Sequence, residues 1–285
     1  MPSSPVYLAR FLSIIAIAQH ALILGWIEPI YGTYGFVQPV INKYADSNSF
    51  FRLVDLLPAL CKVSGWTEGT CLLGISGLYF SIMLSLWFKQ FLPFVSIVAW
   101  LFHLSLKSSS NLTVYGASEI MNVLFFYLAV GSFFLQNTNS ADNRCLSMWT
   151  IAMRLHLCII YCSSGIEKAL GTQWWNGEAI WLSSMRDGNL LPMGVLAYVP
   201  VVPILGGIAV VALEAGYPMF TFFRKTRIFA VLSMIAMHAA IAVQLQLWIF
   251  SLAMVAFNLI AFWHDFANWR ILLMPYRYSP TTEKP

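Results

Sequence analysis

The chain has 285 residues, of which 59% are hydrophobic and only 10% charged, and its formal net charge is +4. A soluble domain carries roughly a quarter charged residues, so this chain has too little polar surface to face water, and lipid must be its solvent. The small positive excess forms no basic stripe with interleaved aromatics, which argues against a nucleic-acid partner.

Eight apolar runs are long enough to cross about 30 Å of hydrocarbon, at about residues 6–27, 71–88, 91–106, 116–135, 146–168, 199–223, 228–246 and 248–264. The expectation is all-α: a polytopic helical membrane protein of about eight transmembrane helices, one domain over 1–270, then a flexible cytoplasmic tail over 271–285. The first run reads as a true span, because no small-residue cleavage pattern follows it. Residues 28–70 form an outer loop, in which Phe50–Leu57 is expected to lie as a short helix at the interface. Cys61 and Cys71 in this loop are a candidate disulfide, since bridges persist on the outer side of a membrane. Cys158 and Cys162, four apart on one helix, do not meet disulfide geometry. Residues 169–198 mix Gly171, Gly177 and Gly188 with Trp174, Trp175 and Trp181. This reads as a re-entrant or lid segment at the headgroup level, where amphipathic rings collect.

Orientation follows from lysine and arginine, which short cytoplasmic loops retain. One side carries Arg10, Lys89, Arg144, the cluster Arg224, Lys225 and Arg227, and the tail residues Arg270, Arg277 and Lys284. The other carries Lys43, Arg52, Lys62, Lys107, Lys168 and Arg186 over longer loops. Both termini are therefore expected in the cytoplasm, with the Lys168 side extracytoplasmic.

Ionisable residues in a span are costly and are by default functional hypotheses. Arg154, Cys158, Tyr161, Gly165 and Lys168 recur at helical steps of four and three, so they form one stripe toward one neighbour. At about 1.5 Å per residue its ends lie roughly 21 Å apart, so Arg154 and Lys168 cannot share one small site. Lys168 has two readings. A lysine at a helix end snorkels to the interface; covered by apolar groups it is instead desolvated, which is how a lysine becomes a base near neutral pH. Glu214 needs a partner, and Arg154 or His238 is expected. His238 is either an interhelical hydrogen bond or a site residue, and Glu119 suits a helix N-terminus. His20 and His103 carry weaker cases. The histidines sit on separate helices without paired spacing, so no metal site is expected. Asn111-Leu112-Thr113 formally matches a glycosylation acceptor.

Tyr161-Cys162-Ser163-Ser164-Gly165-Ile166-Glu167-Lys168, with Trp174 or Trp175 and Gly177, resembles the signature of the HTTM (horizontally transferred transmembrane) domain family, which includes the membrane part of vitamin K-dependent gamma-glutamyl carboxylase. A second ordered segment supports the resemblance: Leu213-Glu214-Ala215-Gly216, then Phe222-Phe223, Arg227, His238, Phe250 and Ser251. The resemblance implies that Lys168 matches the lysine that deprotonates reduced vitamin K, and that the site opens away from the cytoplasm. It departs in two places: Glu167 stands where the carboxylase has another lysine, and the spacing to Trp174 is one residue longer. The carboxylase's large outer domain is expected to be absent.

The leading expectation is thus a membrane protein using Lys168 as a base, with Glu214 and His238 as further catalytic groups. Trp174, Trp175, Gly177, Tyr161, Arg154 and Glu119 would contact substrate. The cofactor would be a reduced quinone, and a secreted peptide or a quinone reductase the partner besides the lipid bilayer. The alternative is a non-enzymatic helper or immunity protein for a secreted peptide toxin. A transporter ranks third, because no inverted repeat is visible.

Overall fold

The computed structural model describes residues 4–36, 51–109, 115–135, 140–185, 198–199 and 201–267. The sequon at Asn111, the end of the 169–198 segment and the tail over 271–285 lie outside them. Among the described residues all regular structure is helical, and the protein is an all-α polytopic membrane protein. Seven helical stretches among the described residues are long and apolar enough to span a bilayer: Ser4–Tyr31, Glu68–Ser85, Lys89–Ser109, Gly116–Phe133, Arg144–Leu170, Val201–Phe222 and Arg224–Leu245. The eighth expected span falls short. It is Trp248–Ala261, 14 residues or about 21 Å, set off by Gln246, whose backbone is left-handed at φ 56°. That conformation ends an α-helix.

The chain divides into two compact units. The first comprises Met1–Met153 with Leu247–Ile260. It holds α1 (Ser4–Ile23), α2 (Ile27–Tyr31), α3 (Leu57–Ser64), α4 (Glu68–Ser85), α5 (Leu92–Ser109), α6 (Gly116–Phe133), the first half of α7 (Ser140–Leu170) and nearly all of α12 (Trp248–Ala261). Its helices bury one stripe and leave the rest apolar toward lipid, as the bilayer requires. In α4, Leu72, Ser76, Tyr79 and Met83 are buried while Leu73, Leu78 and Leu84 are exposed. In α6 the buried set is Ala117, Met121, Leu124 and Leu128, again at steps of three and four. Small polar residues join the helices. Ser13 Oγ donates to the Met83 carbonyl at 2.7 Å, and Ser96 and Ser132 share a hydrogen bond of 2.9 Å.

The expected interfacial helix is displaced along the sequence. Leu53–Leu56 form only a 3-10 turn, and the α-helix runs from Leu57 to Ser64. Pro58 in its first turn starts it and Gly65, at φ 70°, ends it, the usual placing of these two residues. Cys61 and Cys71 face each other across this corner as free thiols, with sulfurs 3.3 Å apart.

The second unit comprises Arg154–Gln246 with Ala261–Pro285. It contains the second half of α7, the short helices α8 (Thr172–Trp175) and α9 (Glu178–Ser184), the long helices α10 (Val201–Phe222) and α11 (Arg224–Leu245), and α13 (Trp263–Ala267). Helices α10 and α11 pack along each other, and α8 and α9 pack on α10.

Candidate functional site

Within the second unit the α7 stripe does meet one principal neighbour, α10. Cys158 Sγ lies 3.6 Å from Thr221 Oγ1, the Tyr161 ring lies 4.6 Å from that of Tyr217, and Lys168 Nζ donates to Glu214 Oε2 at 2.6 Å. Gly165 sets the separation. A Cβ there would sit 2.7 Å from Ala215 Cα and 2.8 Å from the Glu214 carbonyl carbon, so only glycine lets the backbones approach this closely. Lys168 stands three residues further along the same face, which brings its ammonium to the Glu214 carboxylate.

The pair is largely withdrawn from solvent, with the Lys168 side chain 22% and that of Glu214 6% exposed. Ser164 Oγ accepts a second hydrogen bond from Lys168 Nζ at 2.5 Å. Pro218, one turn beyond Glu214, has no N–H to give the Glu214 backbone carbonyl. Above the ammonium sits Trp174, with its ring centroid 5.3 Å from Nζ, a cation–π distance. Trp174 is held there because Gly207 of α10 receives the Trp174 carbonyl where a Cβ would overlap it, and because Gly177 turns the chain at φ 83° against Ile204. The small residues spaced around Trp174 therefore dock α8 and α9 on the first turns of α10.

Two expectations about these residues change, and for His238 the structure supplies one of its two readings, an interhelical hydrogen bond. Glu214 pairs with Lys168 rather than with Arg154 or His238. Trp175 does not cover the lysine: its Nε1 donates to the Ala169 carbonyl at 2.8 Å and its ring is about half exposed. His238 instead shares a 2.9 Å hydrogen bond with the Tyr161 hydroxyl, both groups being buried. Tyr161 lies seven residues, about 10 Å along the helix, from Lys168. The structure thus gathers Lys168, Glu214 and Trp174 at one level, and Tyr161, Tyr217 and His238 two turns deeper.

Arg154 belongs to a separate cluster. Its Nε donates to the Ala261 carbonyl at 2.8 Å, its Nη2 to Asp265 Oδ2, and its guanidinium lies 4.7 Å from the centre of the Phe262 ring. Asp265 also accepts from Arg227 Nη1 at 2.9 Å, and Arg227 Nε reaches the Thr221 carbonyl at 2.8 Å. Sequence reasoning passed over Asp265. The signal was present: between Glu214 and Glu283 it is the only acidic residue, and Arg154 in a span needs a counter-charge. Glu119 lies in the first unit, at the start of α6, where it pairs with Lys107 at 2.6 Å and is more than half exposed.

No protein-family model, curated protein or solved structure matches the chain.

Proposed function

We propose that this membrane protein uses the Lys168–Glu214 pair as a proton-exchanging site for a lipophilic substrate, in the manner that its resemblance to the HTTM family implies. The observation that carries the reading is the pair itself: an amine and a carboxylate 2.6 Å apart, withdrawn from water beneath an indole face. A reduced quinone would supply a phenolic proton and an oxidisable ring. The residues fit such a group, because Trp174 offers a flat apolar face and Lys168 Nζ a nitrogen beside it. Glu214 Oε2 takes a proton from Nζ along the existing hydrogen bond, leaving the amine free to receive another. Ser164 keeps Nζ in place, and Trp174 excludes water. Tyr161 and His238 brace α7 deeper in the unit. In this reading both termini are cytoplasmic and the pair faces the opposite side, where a secreted peptide would meet it.

The test is binding of a reduced quinone, and its oxidation with dioxygen supplied as the electron acceptor, by purified protein carrying Lys168→Ala or Lys168→Arg. Both variants are expected to lose turnover, since alanine has no base and arginine stays protonated. Unchanged turnover in both removes the lysine from the mechanism.

A second reading rests on the completeness of the bonding. Lys168 already has two acceptors, as polar glue between membrane helices would, and the protein would then be a non-enzymatic helper or immunity protein for a secreted peptide. Full biological activity of a well-expressed Lys168→Ala, Glu214→Ala, His238→Ala variant would favour it.

A further inference from the structure

Positive charge gathers in the second unit where α10 ends and α11 begins. Arg224, Lys225 and Arg227 open α11, and Asp265 ties Arg227 to Arg154 by accepting from both, so one carboxylate answers four cations. Arg224 and Lys225 are exposed, and their side chains have no hydrogen-bond or ion-pair partner among the described residues. The sequence beyond offers no relief, since residues 268–285 carry Arg270, Arg277 and Lys284 against Glu283 alone. The retention of positive loops in the cytoplasm accounts for the sign of this charge but asks nothing of its geometry, and here the arginines are held in place. Arg227 donates to the carbonyls of Thr221 at 2.8 Å and Phe222 at 3.3 Å as well as to Asp265. Arg154 uses Nε on Ala261 and Nη2 on Asp265, which leaves Nη1 without a partner among the described residues. Arg224 stands three residues before Arg227, on the same helix face. The surface beside these cations is apolar: Phe222, Phe223 and Phe229 are all exposed, with the rings of Phe222 and Phe223 edge to face at 5.3 Å.

We propose that the start of α11 binds the headgroup phosphate of one anionic phospholipid, with Arg224 and Lys225 contacting its oxygens. Guanidinium and ammonium groups are the side chains that pair with phosphate. Behind them the Arg154–Asp265–Arg227 cluster, with two cations to one carboxylate, supplies a net positive field that the protein does not itself cancel. Phe222 and Phe223 receive the glycerol and first acyl carbons, a contact of which a soluble phosphate makes no use. A zwitterionic headgroup answers its own phosphate with an ammonium group, so the site selects a lipid with net negative charge. The site shares no residue with the Lys168–Glu214 pair and stands or falls independently of it.

The experiment is native mass spectrometry of the full chain released from detergent micelles that contain phosphatidylglycerol and phosphatidylcholine in equal amounts. One phosphatidylglycerol is expected to stay bound, about tenfold in preference to phosphatidylcholine. The double variant Arg224→Gln, Lys225→Gln should weaken that binding about thirtyfold and leave phosphatidylcholine retention unchanged. Lys89→Gln, which removes an exposed cation of the first unit, should leave both unchanged. If the double variant does not fold, the single variants Arg224→Gln and Lys225→Gln are read in its place, each expected to cost about fivefold. Glycerol 3-phosphate at millimolar concentration should not displace the lipid; displacement would identify a site for a soluble phosphate ester and overturn the lipid assignment. Equal retention of the two lipids, or a loss in Lys89→Gln as large as in the α11 variants, overturns the proposal.

Discussion

Lys168 and Glu214 illustrate how a single residue's meaning depends on its partner. A lone lysine at the end of α7 would snorkel; paired with a carboxylate that is only 6% exposed, it is bound into the unit. Removing one member strands the other, at a cost of about 3 kcal/mol or more for a buried pair. Glu214→Ala should therefore lower the thermal unfolding midpoint in detergent markedly, and the charge-free double variant Lys168→Met, Glu214→Leu should recover much of that stability. The double variant also separates the two functional readings: a helper regains activity together with stability, whereas a proton-exchanging site regains stability and remains inactive. The same logic applies to Asp265, which accepts from two arginines. Asp265→Ala is expected to destabilise the second unit by about 3 kcal/mol, measured by thermal unfolding. An effect under about 1 kcal/mol would show that solvent already compensates both guanidinium groups.

At the scale of helices, close approach is decided by glycine. Gly165→Ala inserts a Cβ into the α10 backbone, and overpacking of this kind typically costs about 1–3 kcal/mol. Gly77 in α4 has nothing within 4 Å of the equivalent position, so Gly77→Ala should be neutral or slightly stabilising, in line with alanine's better helix propensity. Comparable unfolding midpoints for the two variants would contradict the packing account. The corner between α3 and α4 makes a redox prediction. The facing sulfurs of Cys61 and Cys71 should join under mild oxidation, with loss of two hydrogens seen by intact mass and abolished in Cys61→Ser. The hydrogen bond to Cys71, with burial second, pushes the Cys61 pKa up, and the thiolate is the attacking species. The rate should therefore climb as pH rises from 7 through and beyond the ordinary thiol range; a rate flat across that interval would contradict it. The α7 stripe was legible because charges in hydrocarbon stand out and helical spacing gives their face. The partner of Glu214 was not. Glu214 lies thirteen residues after Val201, which by depth alone belongs in mid-membrane, but α8 and α9 cover the first turns of α10 and bring Glu214 level with Lys168. No pattern in the apolar run 199–223 marks that covering.

For the whole molecule, hydropathy made the membrane class and the all-helical fold legible, since only helices or closed barrels satisfy the backbone in lipid. The number of spans was less so, because residues 228–264 read as two runs of similar length, whereas the second helix stops at Ala261 after 14 residues, before the short helix Trp263–Ala267. Charge supplies what hydropathy lacks, namely direction. Arg224 and Lys225 begin α11 beside Arg227, while the α3–α4 corner carries Lys62 alone over residues 57–71. From the retention of positive loops in the cytoplasm, the expected orientation has the start of α11 inside and the α3–α4 corner outside, and it is tested residue by residue. In a variant with the five native cysteines replaced by alanine, Val63→Cys, at 89% exposed, should react with a membrane-impermeant maleimide on intact cells. Lys225→Cys should react only after the membrane is permeabilised. The reverse pattern would invert the orientation and move the Lys168–Glu214 pair to the cytoplasmic side, which would leave the quinol reading possible but remove a secreted peptide as its substrate.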